Sequence, residues 1–173
     1  MSHVTIQKNR ELFETDRLSR PVFVDLDGTL ISTDLLFEAF AALLKKSVGL
    51  LLSLVVKLVH GRAAFKRSVS TAFVPDIRQL PLRQEVVDFI TEQKALGRQV
   101  ILATATDEIW ARRIADDLGL FDSVVASDGI HNLKGSAKLV AIRGYCRERG
   151  YDRFDYVGDA NADLPIWREA SDV

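Results

Sequence analysis

The sequence predicts an α/β fold: a parallel β-sheet flanked by helices, with a small helical segment inserted after the first strand. Three observations carry this prediction. Short apolar, β-branched runs alternate with amphipathic stretches of helical length, which is the pattern of a parallel sheet. The strand bodies are apolar but their ends carry aspartate and threonine, at the carboxyl edge where such sheets bind ligands. Residues 34–80 hold helical periodicity without a strand signal, and so interrupt the alternation once.

The elements follow in order. Val22-Phe23-Val24 reads as a buried strand that stops at Asp25-Leu26-Asp27-Gly28-Thr29-Leu30. Two acids at i and i+2 share a face of a strand. Close carboxylates repel one another, and become useful where a divalent cation or a transferred proton sits between them. Leu35, Leu36, Ala39, Phe40, Leu43 and Leu44 then recur at helical spacing. Val48 to Val59 gives a second helix ending at His60-Gly61, too short to span a bilayer, which needs ~20 apolar residues. Ala63 to Phe73 gives a third, broken by Pro75. This region holds Lys45, Lys46, Lys57, Arg62, Lys66, Arg67 and Arg78 against few acids. It reads as a solvated basic face, or as a lid for an anionic substrate or membrane surface. Pro81 is placed to open the next helix, and Gly97 to end it.

Residues 99–103 form the second expected strand, ending at Thr104-Ala105-Thr106. Thr106 is expected to cap the helix of Trp110, Ile114 and Leu118, with Asp107 and Glu108 in its first turn. Ser123 to Ala126 is a third strand, and Asp128-Gly129 a turn in which His131 and Asn132 read as solvated. Ser136 is a candidate cap for the helix of Leu139, Ile142 and Cys146, which stops at Gly150. Phe154 to Val157 is the fourth strand, followed by Gly158-Asp159-Ala160-Asn161-Ala162-Asp163, and Trp167 is expected to pack under the sheet.

A chain of 173 residues, 47% hydrophobic and 27% charged, suits one soluble globular unit with a small insertion. The expected boundaries are an N-terminal arm over 1–19, a core over 20–33 and 81–173, and a helical insertion over 34–80. A net charge of -1 gives no argument for a nucleic-acid partner. The single cysteine, Cys146, excludes an internal disulfide and favours a reducing, cytoplasmic setting. Its place in a helical stripe makes it a packed thiol and not a nucleophile. No secretory signal is evident in the polar first twenty residues.

Taken together, these motifs resemble the haloacid dehalogenase-like (HAD) superfamily. Asp25-Leu26-Asp27-Gly28-Thr29 matches its first motif, Thr104 its second, and Gly158-Asp159…Asp163 its fourth. The resemblance implies a Rossmann-like sheet of order 4-1-2-3, with a C1-type helical cap after strand 1. It implies a Mg²⁺-dependent phosphomonoester phosphatase acting on a small phosphorylated substrate. Asp25 is then the nucleophile and Asp27 the acid and base, while Thr104 binds a phosphoryl oxygen. Gly28, Thr29, Ala105 and Lys134 are further phosphate contacts. Mg²⁺ is held by Asp25, the Asp27 carbonyl and Asp159, with Asp163 in support. The motif lysine is Lys138 or Lys134, and Lys138 is favoured because it falls in the first helical turn after Ser136. A phosphomutase would use the same residues and return the phosphoryl group to its product.

A narrower resemblance links the basic, Leu-rich insertion and the 126–138 and 154–167 stretches to HAD domains fused to UbiA-type membrane prenyltransferases. It implies a sugar- or lipid-linked phosphate as substrate, a membrane surface or prenyltransferase as partner, or a weakly catalytic docking role. The broader HAD resemblance implies a further strand and helix beyond residue 173, so that Phe154 to Val157 is expected to be an open sheet edge.

Overall fold

Val22, Phe23 and Val24 are each fully buried, although successive side chains of a strand point to opposite faces. Both faces must therefore be covered, and the chain covers them with helices. The computed structural model describes residues 14–46 and 48–172. Four strands, β1 (Val22–Val24), β2 (Val100–Asp107), β3 (Ser123–Ser127) and β4 (Asp155–Val157), form one sheet of order β3-β2-β1-β4. All three pairings are parallel, and the order is the expected one read from the other edge.

Alternation along the strands sorts the core into two clusters. Val22, Val24, Val100 and Leu102 face one layer, with Ile90, Trp110 and Ile114. This layer draws on helices α5 (Gln84–Ala95) and α6 (Glu108–Leu118). Phe23, Ile101, Ala103 and Tyr156 face the other, against Leu139, Ile142 and Cys146 of α7 (Ser136–Arg149) and Ile166 of α8 (Leu164–Trp167). Phe23 meets Tyr145 and Phe154 edge to face, with ring centroids 5.5 and 5.7 Å away. Burial holds Cys146 as the packed thiol expected, and pushes its pKa up to about 11. Trp167 packs against this second cluster.

Between β1 and β2 lie α2 (Leu35–Lys46), α3 (Val48–Val55), a 3-10 stretch at Val56–His60, and α4 (Arg62–Ala72). The second expected helix thus tightens to 3-10 geometry in its last turn, and His60 stands at its exposed end. Leu35, Ala39, Leu43, Leu54, Phe65 and Val69 join the first core cluster, so the insertion and the sheet share one apolar interior.

Three expected helix starts move. Pro81 does not open α5, which begins at Gln84; Leu82 instead bridges Ile31 in an isolated antiparallel pair. Ser136 is the first residue of α7 and not its cap; Gly135, at φ 59°, is the N-cap. Strand β2 runs on through Thr106, and Asp107 caps α6 by accepting from the Ile109 amide. Residues 14–19 form a short helix, α1, tied to the body by an ion pair of Asp16 with Arg153 at 3.4 Å. Residues 1–13 of the expected arm lie outside the described residues. The β4 edge is not left open. The Ser171 amide donates to Phe154 O at 2.9 Å, and the Tyr156 amide to Asp172 O at 3.1 Å.

Candidate active site

The carboxyl ends of β1, β2 and β4 open on a cavity of about 180 Å³. Its wall holds Asp25, Asp27, Lys138 and Asp163 from the core, and Asp34 and Lys66 from the insertion. Asp25 follows β1 directly, and its amide donates to Val157 O at 2.9 Å, which continues the β1–β4 pairing. Its side chain is buried, and Oδ1 accepts from the Leu26 amide at 2.8 Å.

The same Oδ1 lies 3.0 Å from Lys138 Nζ. Lys138 is buried, 3.1 Å from Asp163 Oδ1, and donates to the Tyr156 hydroxyl at 2.8 Å. Of the two candidate lysines, then, Lys138 touches Asp25, whereas Lys134 stands exposed on the cavity rim. One ammonium here serves two buried carboxylates. Asp163 Oδ2 is left buried without a partner. Burial pushes the Asp25 pKa up to about 6, with the nearby Asp163 charge adding to the rise and Lys138 opposing it. Burial, followed by the Asp25 and Asp163 charges, also drives the Tyr156 phenol upward. Gly158 makes room for this cluster: a Cβ there would stand 2.7 Å from Asp163 Oδ2.

Asp27 faces the insertion. Its Oδ1 accepts from the Leu35 amide at the start of α2, at 2.9 Å, and its Oδ2 accepts from the Thr106 hydroxyl. Burial raises its pKa, and those two donors hold it down. Gly28 turns the chain at φ 81°, and a Cβ there would fall 2.4 Å from Asp159 Oδ2. Only glycine lets that carboxylate close on the loop. Thr29 is buried and donates to Asp159 Oδ1 at 3.1 Å.

The remaining expected contacts divide. Ala105 lines the cavity and its carbonyl accepts from Lys66 Nζ at 2.6 Å. Thr104 is fully buried and does not line the cavity; its Oγ1 accepts from the Thr106 amide at 3.0 Å. The hydroxyl in the cavity wall is that of Thr106, one pleat further along the strand. The expectation that Thr106 caps a helix is corrected here, because its hydroxyl is spent on Asp27.

Lys66 is the other residue whose place the sequence did not reveal. It counted as one of many surface charges, yet it reaches the cavity and donates to Asn132 Oδ1 at 3.0 Å as well as to Ala105. Burial lowers its pKa, against the pull of Asp27 and Asp34. One signal was available: Lys66 shares a helical stripe with Ala63 and Ser70, both buried. Asn132 therefore belongs to the site rim, while His131 stays in a solvated turn, its Nδ1 2.9 Å from Asp128. Arg67 fastens α4 beside Lys66 through ion pairs with Asp107 and Glu108, both at 2.8 Å.

Among the described residues, no three His, Cys, Asp or Glu side chains converge as a metal cage. Mg²⁺ does not require one, since it binds through one or two carboxylates, retained waters and substrate oxygens. Asp25 and Asp159 follow adjacent parallel strands, and the glycine-limited approach of Asp159 to the Gly28 loop brings a second carboxylate to that end of the sheet. The hard oxygen donors and the unpartnered Asp163 oxygen fit a small divalent cation.

Comparison with known proteins bears on the family and the fold. The sequence model of the haloacid dehalogenase-like hydrolase family matches residues 22–168. The uncharacterized protein y4nM of Sinorhizobium fredii is 36% identical over 151 residues, which make up 87% of this chain. The match spans 28% of that relative's own length. Among solved structures, a protein of unknown function from Bordetella pertussis superposes with a TM-score of 0.65 at 18% identity, covering 87% of this chain and 86% of the other. The HAD family hydrolase t0658 of Salmonella enterica serovar Typhi gives 0.62 at 14% identity, covering 98% and 70%. A substrate-bound phosphoserine phosphatase gives 0.60 at 15% identity, covering 88% and 83%. At these identities the structural likenesses are of fold.

Proposed function

The chain belongs to the haloacid dehalogenase-like hydrolase family, and we propose that within it the chain is a Mg²⁺-dependent phosphomonoester phosphatase working through an aspartyl-phosphate. The observation that carries this reading is the buried Asp25–Lys138–Asp163 chain of contacts, at 3.0 and 3.1 Å, at the carboxyl end of the central strand. A carboxylate is a weak nucleophile unless it is held and partly desolvated. Asp25 is held by the Leu26 amide and by Lys138, which also offers positive charge to an incoming phosphoryl group.

In this mechanism Asp25 attacks phosphorus and the ester oxygen leaves. Asp27 gives that oxygen a proton, then removes one from the water that hydrolyses the aspartyl-phosphate. Asp25, the Asp27 carbonyl and Asp159 would hold Mg²⁺, which when bound supplies neutralisation of phosphoryl charge. Lys134, on the cavity rim, would be a further phosphate contact, whereas Thr29, buried and bonded to Asp159, would act by holding that carboxylate. Thr104 would act only by holding the Thr106 backbone at the end of β2. Residues 34–80 would serve as the cap, closing the cavity against water through Lys66 and Arg67. A cavity of about 180 Å³ favours a small phosphorylated metabolite over a bulky lipid-linked one. The substrate named for the phosphoserine phosphatase neighbour is of that size class.

The test is Mg²⁺-dependent release of phosphate from 4-nitrophenyl phosphate, lost on chelation and in Asp25→Asn. Activity that survives Asp25→Asn would sink the nucleophile assignment.

A second reading has its own observation. Phe37 and Val59 are 72% and 83% exposed, Leu44, Val56 and Leu58 are exposed too, and Lys45 and Lys57 stand beside them. Exposed apolar residues interleaved with lysines support docking on an anionic membrane surface or a membrane partner. No helix among the described residues is long and apolar enough to cross a membrane. Unchanged partition onto anionic vesicles after charge reversal at Lys45 and Lys57 would remove this reading.

A further inference from the structure

We propose that Thr106 is a positioning residue for proton transfer, fixing the Asp27 carboxyl between the β2 end and the first helix of the insertion. The inference rests on the phosphatase reading and adds a residue to it. Asp27 is pinned at both oxygens by donors from two different parts of the chain. The Leu35 amide, first residue of α2, meets Oδ1 at 2.9 Å, and the Thr106 hydroxyl meets Oδ2. A carboxyl held at one oxygen can still swing about its side-chain bonds, whereas one held at both keeps a single plane. General acid catalysis depends on that plane, because the proton must lie within reach of the leaving oxygen.

The hydroxyl is itself held. Strand β2 continues to Asp107 in place of turning at Thr104, which carries Thr106 into the cavity wall. The Thr106 amide donates to Thr104 Oγ1 at 3.0 Å, so one buried threonine fixes the backbone of the other. The next residue locks the other side. Asp107 accepts from Ser70 at 2.9 Å and from Arg67 at 2.8 Å, both on α4. Thr106 is thus anchored by groups that do not touch the reacting atoms.

A hydroxyl also suits the chemistry better than an amide would. It can donate to a carboxylate and, by rotating, accept from a carboxylic acid. Asp27 passes through both forms: it gives its proton to the leaving oxygen as the O–P bond breaks, and regains one from the attacking water. The Thr106 proton is not consumed in either step.

The experiment compares kcat/KM for phenyl phosphate and 4-nitrophenyl phosphate in the wild-type protein, Thr106→Val and Thr106→Ser. This parameter covers the steps up to loss of the leaving group, and 4-nitrophenolate departs without needing a proton. Thr106→Val is expected to lower kcat/KM about ten-fold or more for phenyl phosphate, and under about three-fold for 4-nitrophenyl phosphate. Thr106→Ser is expected to restore the wild-type ratio. The ratio of the two substrates does not depend on how much of the variant is folded. An equal loss on both substrates, or no loss on either, would overturn the inference while leaving the phosphatase reading in place. A wild-type protein that hydrolyses neither substrate would overturn both.

Discussion

Two buried clusters of charge sit at opposite ends of one sheet, and they are balanced differently. At the amino end, Arg98 lies 2.5 Å from Asp155 and also donates to Gln93 at 2.7 Å and to the Arg20 carbonyl at 3.1 Å. Arg20 meets the second oxygen of Asp155 at 3.3 Å. Arg20 also pairs with Asp16, so two guanidiniums meet two carboxylates. At the carboxyl end a single ammonium, Lys138, serves Asp25 and Asp163, an oxygen of Asp163 goes without a partner, and the Asp25 pKa rises to about 6. Matched charges that tie β4 to the segments entering β1 and β2 are a structural device. Surplus negative charge around a cavity calls for a cation or a proton from outside.

Substitutions should pull the two ends apart. Lys138→Met should have the largest effect on activity, lowering kcat/KM about 100-fold or more, because phosphoryl charge loses its fixed partner. Steady-state kinetics on 4-nitrophenyl phosphate would measure it, and a loss of only a few fold would contradict the role of Lys138. Arg98→Met should do the reverse. Stranding Asp155 without its closest partner should cost about 3 to 5 kcal/mol of stability by denaturant titration, with kcat/KM of the folded fraction retained. A stable but inactive variant would blur the contrast between the clusters.

The pH response should differ as well. The folded-state pKa of Asp25 lies above its ordinary 3.8, at about 6, so the folded chain binds a proton that the unfolded chain releases. That contribution to stability is complete below the ordinary value and is lost as pH rises through about 6. Mg²⁺ must displace the same proton. It should therefore raise Tm more above pH ~7 than below pH ~5, as a thermal melt series would show. A metal effect that is flat across that range would contradict the placement of Asp25 among the ligands. The smallest effect is expected at Cys146. With its thiol buried and its pKa near 11, alkylation by a thiol reagent should be slow in the native state and rapid on unfolding.

Much of this was legible in the sequence, and the exceptions have physical reasons. The four strands were visible because buried parallel strands are apolar throughout, as at Val22 to Val24. Asp25, Asp27, Asp159 and Asp163 stood out because acids follow those runs directly. Thr106 was misread because Thr106 and Asp107 are both competent caps. The choice between them was made by Asp27, 79 residues away in the chain. Ser136 gave way to Gly135 because only a residue free to adopt φ 59° fits that loop. Lys66 was hidden by its own surroundings: in a basic helix, nothing local separates a charge that faces water from one that enters a cavity.

The central claim is that Asp25 carries the phosphoryl group. Its most direct test is acid quenching of the wild-type protein during turnover of 4-nitrophenyl phosphate with Mg²⁺, then peptide mass spectrometry. An acid-stable, hydroxylamine-sensitive phosphoryl adduct is expected on Asp25, absent in Asp25→Asn and accumulating in Asp27→Asn. An adduct on another residue, or turnover by Asp25→Asn, would contradict it.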